Sequence, residues 1–194
     1  MRRKRIVVAA LGALVVMGAS AAAVVSAHEG AMGVVKQRME LMKSIAKNMK
    51  ALSLMMRSQT TYDAAVFKAS VQAIKSHAGA SITKLFPEGS MGHPSEATAK
   101  IWQDWDRFEA NAKRLAMYAG ALEAMAAAGF PTRNGKIEQP PSRGSGSMVD
   151  VPPLSDDGFL QAAHVKHVPP HMIFQFMAKT CKSCHETFRV KKQK

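Results

Sequence analysis

The residues with the most distinctive chemistry lie almost at the end of the chain. Both of its cysteines stand in the stretch Cys181-Lys182-Ser183-Cys184-His185. At Cys-x-x-Cys-His spacing, two thiols on one turn of backbone reach the two vinyl groups of a haem, and the next imidazole reaches the iron. The motif therefore predicts one covalently bound haem c, attached through Cys181 and Cys184, with His185 as an axial iron ligand.

Three other uses of a Cys-x-x-Cys pair fit the rest of the sequence less well. A dithiol redox site usually follows a strand in a β-α-β unit, and no strand-like pattern precedes residue 181. The chain has no second cysteine pair that would complete a closed zinc site. A disulfide across so short a loop constrains little of the unfolded chain. Haem attachment is the favoured hypothesis among these alternatives.

Residues 1–27 have the composition of a secretory signal peptide. Four cations at 2–5 precede an apolar run at 6–25, and residues 25–27 are small enough for a cleavage site. A retained membrane anchor is the alternative, because the run approaches the roughly 20 residues of a spanning helix. The small residues and the cleavage site favour removal, so we predict an exported, periplasmic protein that forms one domain over residues 28–194.

The chain is basic, with 27 Lys and Arg against 14 Asp and Glu. Without the four cations of the predicted signal peptide, an excess of nine remains. No nucleic-acid-binding module is recognisable, and export argues against a nucleic-acid partner. The charge favours acidic redox proteins or anionic membrane surfaces as partners, and a solvated lysine-rich surface explains it equally well. No nucleophile, paired carboxylate or phosphate loop is recognisable, so we predict no enzyme activity.

Four segments carry apolar residues at helical spacing. The first spans 33–57, with an inward stripe of Val35, Met39, Met42, Ala46, Met49 and Met56. The second follows a capping box of Thr60 and Asp63, with an inward stripe of Phe67, Val71, Ile74, Ala78 and Leu85. The third follows Ser95 as N-cap, with an inward stripe of Ile101 or Trp102, Trp105, Phe108, Ala112, Leu115, Ala119, Leu122 and Ala126.

The fourth helix is predicted at about 171–191, after two prolines that suit a first turn. Its predicted inner side carries Phe174, Met177, Cys181, Cys184, His185 and Phe188. Between the third and fourth helices, residues 131–155 are rich in Pro, Gly and Ser and show neither period, which predicts a mobile surface insertion. Ser155-Asp156-Asp157 is a possible cap for a short helix through Val165. These patterns predict an all-α fold, an antiparallel four-helix bundle that encloses the haem.

Several stretches resemble the class II c-type cytochromes, the family of cytochrome c prime and its low-spin relatives of the c-556 type. The stretch 181–189 with the haem motif and the stretch 35–43 on the first helix carry the resemblance most specifically. Residues 85–90 and 101–108 are similar to the family's loop and third helix. The segment 131–168 departs from the family, because it exceeds the short connection usual there.

The resemblance implies a second iron ligand. The position four residues after the first-helix arginine is a non-ligating apolar residue in high-spin, gas-binding members and methionine in low-spin members. Here the arginine is Arg38 and that position is Met42, although a methionine on an apolar stripe is ordinarily core filler. The match further implies that Arg38 and Arg189 contribute to the haem environment, near the propionates.

The function implied by the resemblance is that of a periplasmic monohaem electron carrier with low-spin iron between His185 and Met42. Redox proteins are the implied partners. A high-spin protein that binds NO or CO, with an open or blocked sixth site, is the alternative, and a haem subunit of a larger oxidoreductase is a third. The sequence leaves monomer and homodimer equally open.

Overall fold

The computed structural model describes residues 31–138 and 153–190, and these form a helical fold. Four long helices dominate it: α1 (Gly33–Met56), α2 (Ala64–His77), α5 (Trp105–Ala128) and α6 (Pro170–Phe188). Two short helices, α3 (Ala80–Thr83) and α4 (Lys100–Gln103), lie between α2 and α5. Helix α5 packs against both α2 and α6, and α1 packs against α2. The predicted four-helix bundle is confirmed.

The bundle core consists of aliphatic and aromatic side chains from all four long helices. Full burial of each such side chain stabilises the fold by about 1.5–3 kcal/mol relative to exposure. The members with no exposed surface are Leu52, Phe67, Val71, Ile74, Tyr118, Ala119, Leu122, Ile173 and Met177. The predicted inward residues of the second helix are all buried, and so are most of those of the third.

The buried face of α1 differs from the predicted stripe. Ile45, Leu52 and Met55 lie in the core, whereas Ala46, predicted to point inward, is exposed. Met56 is buried as predicted. The buried Arg38 and Ile45 each lie one position before the predicted Met39 and Ala46, whereas the predicted Met42 and Met49 do pack, partly buried, against the core. The buried line of α1 begins at Arg38. The charge of Arg38 makes this line look polar in the sequence, although Arg38 itself is buried.

Helix α2 begins where its cap predicts but ends early. The Asp63 side chain accepts a hydrogen bond from the Val66 amide at 2.9 Å, so Asp63 is itself the N-cap and Thr60 is not. The helix ends at His77 instead of continuing toward Leu85, because Gly79 adopts a positive φ of 60°. The Gly79 amide donates to the Ala112 carbonyl at 3.0 Å, which fixes this break against α5.

Ser95 was predicted to cap the third helix, and this is wrong. Its hydroxyl accepts from the Ala97 amide at 3.3 Å in a local turn, and the helical region begins only at Lys100. Between them, Ala97 forms an isolated antiparallel bridge with Arg189, and the Thr98 amide donates to the Phe188 carbonyl at 2.9 Å. The strand-like pairing of 96–98 with the end of α6 therefore replaces a helical first turn.

The stretch after α5 contains a hairpin that the sequence interpretation missed. Strand β1 (Thr132–Arg133) pairs antiparallel with β2 (Lys136–Ile137). Asn134 and Gly135 form the turn with φ of 51° and 69°, the backbone for which Asn-Gly is favoured. The prediction of a structureless 131–155 is therefore wrong for this part, and residues 139–152 lie outside the described residues.

The chain then returns to the bundle over residues 153–168. The predicted helix from Ser155 to Val165 is wrong, because the Ser155 hydroxyl closes a turn onto the Phe159 carbonyl at 2.9 Å. A 3-10 helix follows at Ala162–His167. Four side chains of the segment 153–168 are buried, so the segment belongs to the core: Phe159, Leu160, Val165 and Val168.

Helix α6 begins at Pro170, with proline in the first turn as predicted. It ends at Phe188, three residues before the predicted end at Lys191, and residues 191–194 lie outside the described part. Within 31–138 and 153–190, none of the helices is long and apolar enough to cross a membrane. The predicted signal peptide at 1–27 also falls outside the described residues.

The buried hydroxyl of Tyr118 donates to the Leu160 carbonyl at 3.0 Å and so attaches the segment 153–168 to α5. We expect Tyr118→Phe to lower the free energy of unfolding by about 1–2 kcal/mol, since a buried carbonyl loses its partner. Denaturant unfolding of the purified protein measures the change. Tyr62→Phe is the control, because the Tyr62 ring packs on Phe67 but its hydroxyl bonds to no other described residue. An equal loss of unfolding free energy in the two variants would contradict a stabilising role of the Tyr118–Leu160 hydrogen bond.

Candidate functional site

The Cys-x-x-Cys-His motif lies in the last turns of α6, partly on the face that packs into the bundle. Phe174, Met177 and Phe188 on that face are buried, and Cys181 and Cys184 are partly buried against the core. His185, predicted on the same inner side, is exposed at the edge of the face. The helix therefore presents two thiols and one imidazole side by side, with the imidazole nearest the solvent.

Neither cysteine takes part in a disulfide. Desolvation, followed by the neighbouring Cys181, raises the pKa of Cys184 to about 12, and desolvation also raises the pKa of Cys181. Thiols that attack disulfides have lowered pKa values instead. The surroundings therefore keep both cysteines protonated at neutral pH, which does not favour the dithiol redox alternative.

The end of α6 is fixed to the chain that leads into α4. Ala97 and Arg189 form an isolated antiparallel bridge, and the Val190 amide donates to the Glu96 carbonyl at 2.8 Å. The Arg189 Nε donates to the Glu96 carboxylate at 2.5 Å. Arg189 thus already has a carboxylate partner within the chain, and its predicted place near a haem propionate stays a prediction.

The same ion pair acts on His185. Desolvation and then the Arg189 guanidinium lower the pKa of His185, and Glu96 opposes them. A lowered pKa favours the neutral imidazole, the form in which histidine binds metals. The site therefore presents the imidazole in its ligating form.

A chain of aromatic contacts links α1 to the end of α6. The Arg38 guanidinium lies over the Phe86 ring at 4.4 Å, within the range of a cation–π interaction. Phe86 contacts Phe108 with ring centroids 4.9 Å apart, and Phe108 contacts Phe188 at 5.5 Å. Phe188 follows His185 by three residues, so Arg38 and the motif lie at the same end of the bundle.

Arg38 is the most unusual residue of this site. It is only 2% exposed, and its Nη2 donates to the Ser90 carbonyl at 2.7 Å and hydroxyl at 2.8 Å. Its Nε and Nη1 are buried without a hydrogen-bond partner, and no carboxylate of the described residues pairs with it. Desolvation lowers the pKa of Arg38, although an arginine remains charged in proteins.

A buried charge without a counter-charge is costly, so the position calls for an anion. The propionate of a haem is a carboxylate, and arginine N–H groups bind carboxylates in strong charge-assisted hydrogen bonds. The unpartnered donors of Arg38 are therefore those that a haem needs at its propionate edge. The residues present fit the cofactor that the motif predicts.

Met42 lies one turn after Arg38, on the same side of α1. It is partly buried and packs against the bundle core. Helices α1 and α6, which carry Met42 and His185, contact each other much less than α5 contacts α6. The two predicted iron ligands thus lie on helices that are not closely packed against each other.

An open cavity of about 410 Å³ lies beside the aromatic contacts. Thr83, Lys84, Phe86, Pro87, Glu88, Trp102 and Trp105 line it. Phe86, which contacts Arg38, is one of the lining residues. Neither the Cys-x-x-Cys-His motif nor Met42 is among them. The candidate site is consequently defined by Arg38 and the end of α6 rather than by this cavity.

Sequence reasoning found Arg38, Met42 and the motif but missed what surrounds them. The contacts of Phe86 and Ser90 with Arg38 and of Glu96 with Arg189 join positions 48 to 93 residues apart. The similarity of residues 85–90 to a family loop was the only signal that pointed to the first two. No sequence pattern pointed to Glu96.

Comparisons with known proteins find relatives of this chain among cytochromes. Residues 33–138 match the family described as Cytochrome C', a range that holds Arg38 and Met42 but ends before Cys181. The chain is 37% identical over 94 residues to cytochrome c-556 of Agrobacterium fabrum, an alignment that covers 48% of this chain and 63% of that protein. It is 29% identical over 160 residues to cytochrome c-556 of Agrobacterium tumefaciens, covering 82% of this chain and 99% of that protein. It is 28% identical over 158 residues to cytochrome c' of Pararhodospirillum photometricum, covering 80% and 94%.

Solved structures show the same fold at low sequence identity. Cytochrome c' from Rhodopseudomonas palustris aligns with a TM-score of 0.56 at 23% identity, over 84% of this chain and all of that one. A nitric oxide complex of a cytochrome c prime variant from Alcaligenes xylosoxidans aligns with a TM-score of 0.55 at 22% identity, over 82% and 94%. Since the family match spans more than half of the sequence and the bundle is shared, the chain belongs to the cytochrome c' family, and its cofactor is a covalently attached haem c.

Proposed function

We propose that this protein is a periplasmic monohaem electron carrier in which Cys181 and Cys184 hold the haem and His185 and Met42 are the axial ligands. The observation that carries the proposal is the pair Arg38 and Met42 on α1. The unpartnered N–H groups of Arg38 mark where a haem carboxylate belongs, and a thioether lies one turn further along the same side. When bound, the haem supplies one-electron chemistry between ferric and ferrous iron.

The chain's own residues keep the cofactor in place. Cys181 and Cys184 are partly buried and lie one turn apart on a helix whose end is bonded to residues 96–98. Phe86 and Ser90 fix the Arg38 side chain from two directions. Ordered donors lose little conformational entropy when a carboxylate binds, so Arg38 is prepared for a propionate in advance.

His185 and Met42 are the residues that would bind the haem iron, and a bound Met42 thioether would leave no coordination position for an external ligand. Methionine and histidine ligation is typical of electron-transferring c-type haem and raises the reduction potential. A closed position also excludes small ligands and substrates, which supports electron transfer rather than catalysis. Export to the periplasm is supported by the family and by the signal-like residues 1–27.

A protein that binds nitric oxide or carbon monoxide is the second candidate. One observation favours it: a solved nitric oxide complex of a cytochrome c prime variant shares the fold. In that case Met42 is a side chain that only fills the space beside the metal, and the iron is five-coordinate. The two candidates differ in a single bond, so one substitution separates them.

We expect Met42→Ala to convert a low-spin spectrum to a high-spin one and to lower the reduction potential, because the sixth ligand is lost. Visible spectroscopy and potentiometry of the purified holoprotein measure both. Met49→Ala is the matched control, since Met49 is also partly buried on α1 and packs on the same core. A Met42→Ala spectrum identical to that of the wild type would show that another residue, or none, is the ligand.

The attachment prediction concerns the two thiols. Replacing both Cys181 and Cys184 by Ala should give protein without covalent haem, because each of the two thioether bonds needs one of these sulfurs. Mass spectrometry of the denatured protein measures the adduct. The control is Ser183→Ala, which lies between them and should retain the full haem mass. A haem adduct in the double variant would refute the assignment.

The Arg38 prediction concerns its unpartnered N–H groups. Arg38→Met in the holoprotein should lower the free energy of unfolding by about 1.5–3 kcal/mol, the range for a hydrogen bond to a charged group. It should also lower the reduction potential, because removing a nearby positive charge favours ferric iron. Arg57→Met, an exposed position at the end of the same helix, is the control and should change neither quantity appreciably. Equal effects of the two substitutions would contradict the propionate role.

A further inference from the structure

The net charge of the described residues is concentrated between positions 33 and 85. Residues 33–85 contain nine Lys and Arg against two Asp and Glu, a net charge of +7. Residues 86–138 contain six against seven, and residues 153–190 contain four against three. Almost the whole positive charge of the described chain therefore lies on the α1–α2 side of the bundle.

Three lysines form a row on α1, here called the α1 lysine face: Lys43, Lys47 and Lys50. Their spacing of four and three residues places them on one side of the helix, and all three are exposed. In the described part of the chain none of them takes part in a salt bridge. The only acid of α1, Glu40, lies 3.9 Å from Lys36 instead. The face is a row of unpaired cations.

Such a row does not help the fold. Like charges one turn apart on a helix destabilise it by about 0.2–0.5 kcal/mol per pair. Elsewhere in the described chain, acids stand beside lysines, as Glu123 does with Lys75 and Glu109 with Lys113. No acid of the described residues forms a salt bridge with the α1 lysine face, so an anionic partner could bind all three lysines without displacing an internal ion pair.

The face also lies beside the proposed electron-transfer site. Lys43 directly follows Met42, and Lys47 and Lys50 extend the row by about 10 Å along the helix. A partner bound to these lysines is therefore placed against the helix that carries the proposed iron ligand. Opposite charges across such a contact accelerate association and orient the two proteins.

We propose that the α1 lysine face is the docking surface for an acidic redox protein, a proposal that rests on the proposed function as an electron carrier. A second copy of this chain does not fit, because a two-fold contact would place the cationic face against itself. An anionic membrane fits less well, because the apolar side of α1 is buried in the bundle and has nothing to insert.

The test compares two triple variants of the full-length ferric holoprotein with the same change in charge. The face variant carries Lys43→Glu, Lys47→Glu and Lys50→Glu. The control variant carries Lys100→Glu, Lys136→Glu and Lys166→Glu, three exposed lysines on other elements. The probes are poly-L-glutamate, as a protein-like polyanion, and vesicles of phosphatidylcholine with phosphatidylserine.

At low salt we expect the face variant to bind poly-L-glutamate about tenfold more weakly than the control variant, and the difference to vanish at high salt. Equal weakening in both variants would overturn the proposal, because the net charge alone would then account for binding. Wild-type protein that binds the vesicles through these lysines and ignores poly-L-glutamate would overturn it in favour of a membrane surface.

A second readout connects the face to electron transfer. Oxidation of the ferrous holoprotein by hexacyanoferrate(III), an anionic oxidant, should be slower for the face variant than for the control variant at low salt. Equal rates would place the electron exit away from α1 and overturn the docking proposal as stated. Because polyanion binding is measured without electron transfer, a failure of the carrier proposal in the Met42 spectra remains distinguishable from a failure of this one.

Discussion

The burial of one guanidinium without a counter-charge is the constraint on which the site depends. Arg38 points into the protein and stacks on Phe86. One of its nitrogens donates a hydrogen bond to Ser90, while two further nitrogens have no hydrogen-bond partner. Protein interiors rarely leave buried donors unpaired, since each costs about 1–3 kcal/mol and charged groups cost more. This cost is avoided when a carboxylate is supplied, and a covalently attached haem supplies two. We propose that the cofactor completes the fold at this residue.

The remainder of the bundle serves to bring distant parts of the chain to that residue. Rings of Phe86, Phe108 and Phe188 contact one another in sequence between Arg38 and the end of α6. The backbone pairing of residues 96–98 with the end of α6 fixes the motif from the other side. A cofactor held at the motif is therefore held, through packing and hydrogen bonds, relative to α1 as well.

The periodic parts of the sequence predicted the fold well. The stripes around Phe67 and Leu115 identified core residues correctly because nothing charged interrupts them. The stripe of α1 was misplaced because its true line begins with the buried Arg38, and burial of a charge is decided by a partner that the helix pattern does not contain. Ser95 failed as a cap because extended pairing with the distant Phe188 competes with a first helical turn.

The site was predictable only in part for the same reason. The Cys-x-x-Cys-His motif is local and carries its own chemistry, so spacing alone suggested it. The support of Arg38 by Ser90, and the pairing of Arg189 with Glu96, depend on contacts across 52 and 93 positions. Met42 came from resemblance to a family, and partial burial on α1 is compatible both with a ligand and with core filling.

The central claim is that Met42 closes the sixth position opposite His185, and access of a small ligand to the iron tests it most directly. The measurement is a carbon monoxide titration of the ferrous wild-type holoprotein, followed by absorption spectroscopy at neutral pH. The account predicts a low-spin spectrum that carbon monoxide leaves unchanged or alters only slowly. A high-spin spectrum that shifts at once on the first additions of carbon monoxide would contradict it and would favour the gas-binding alternative.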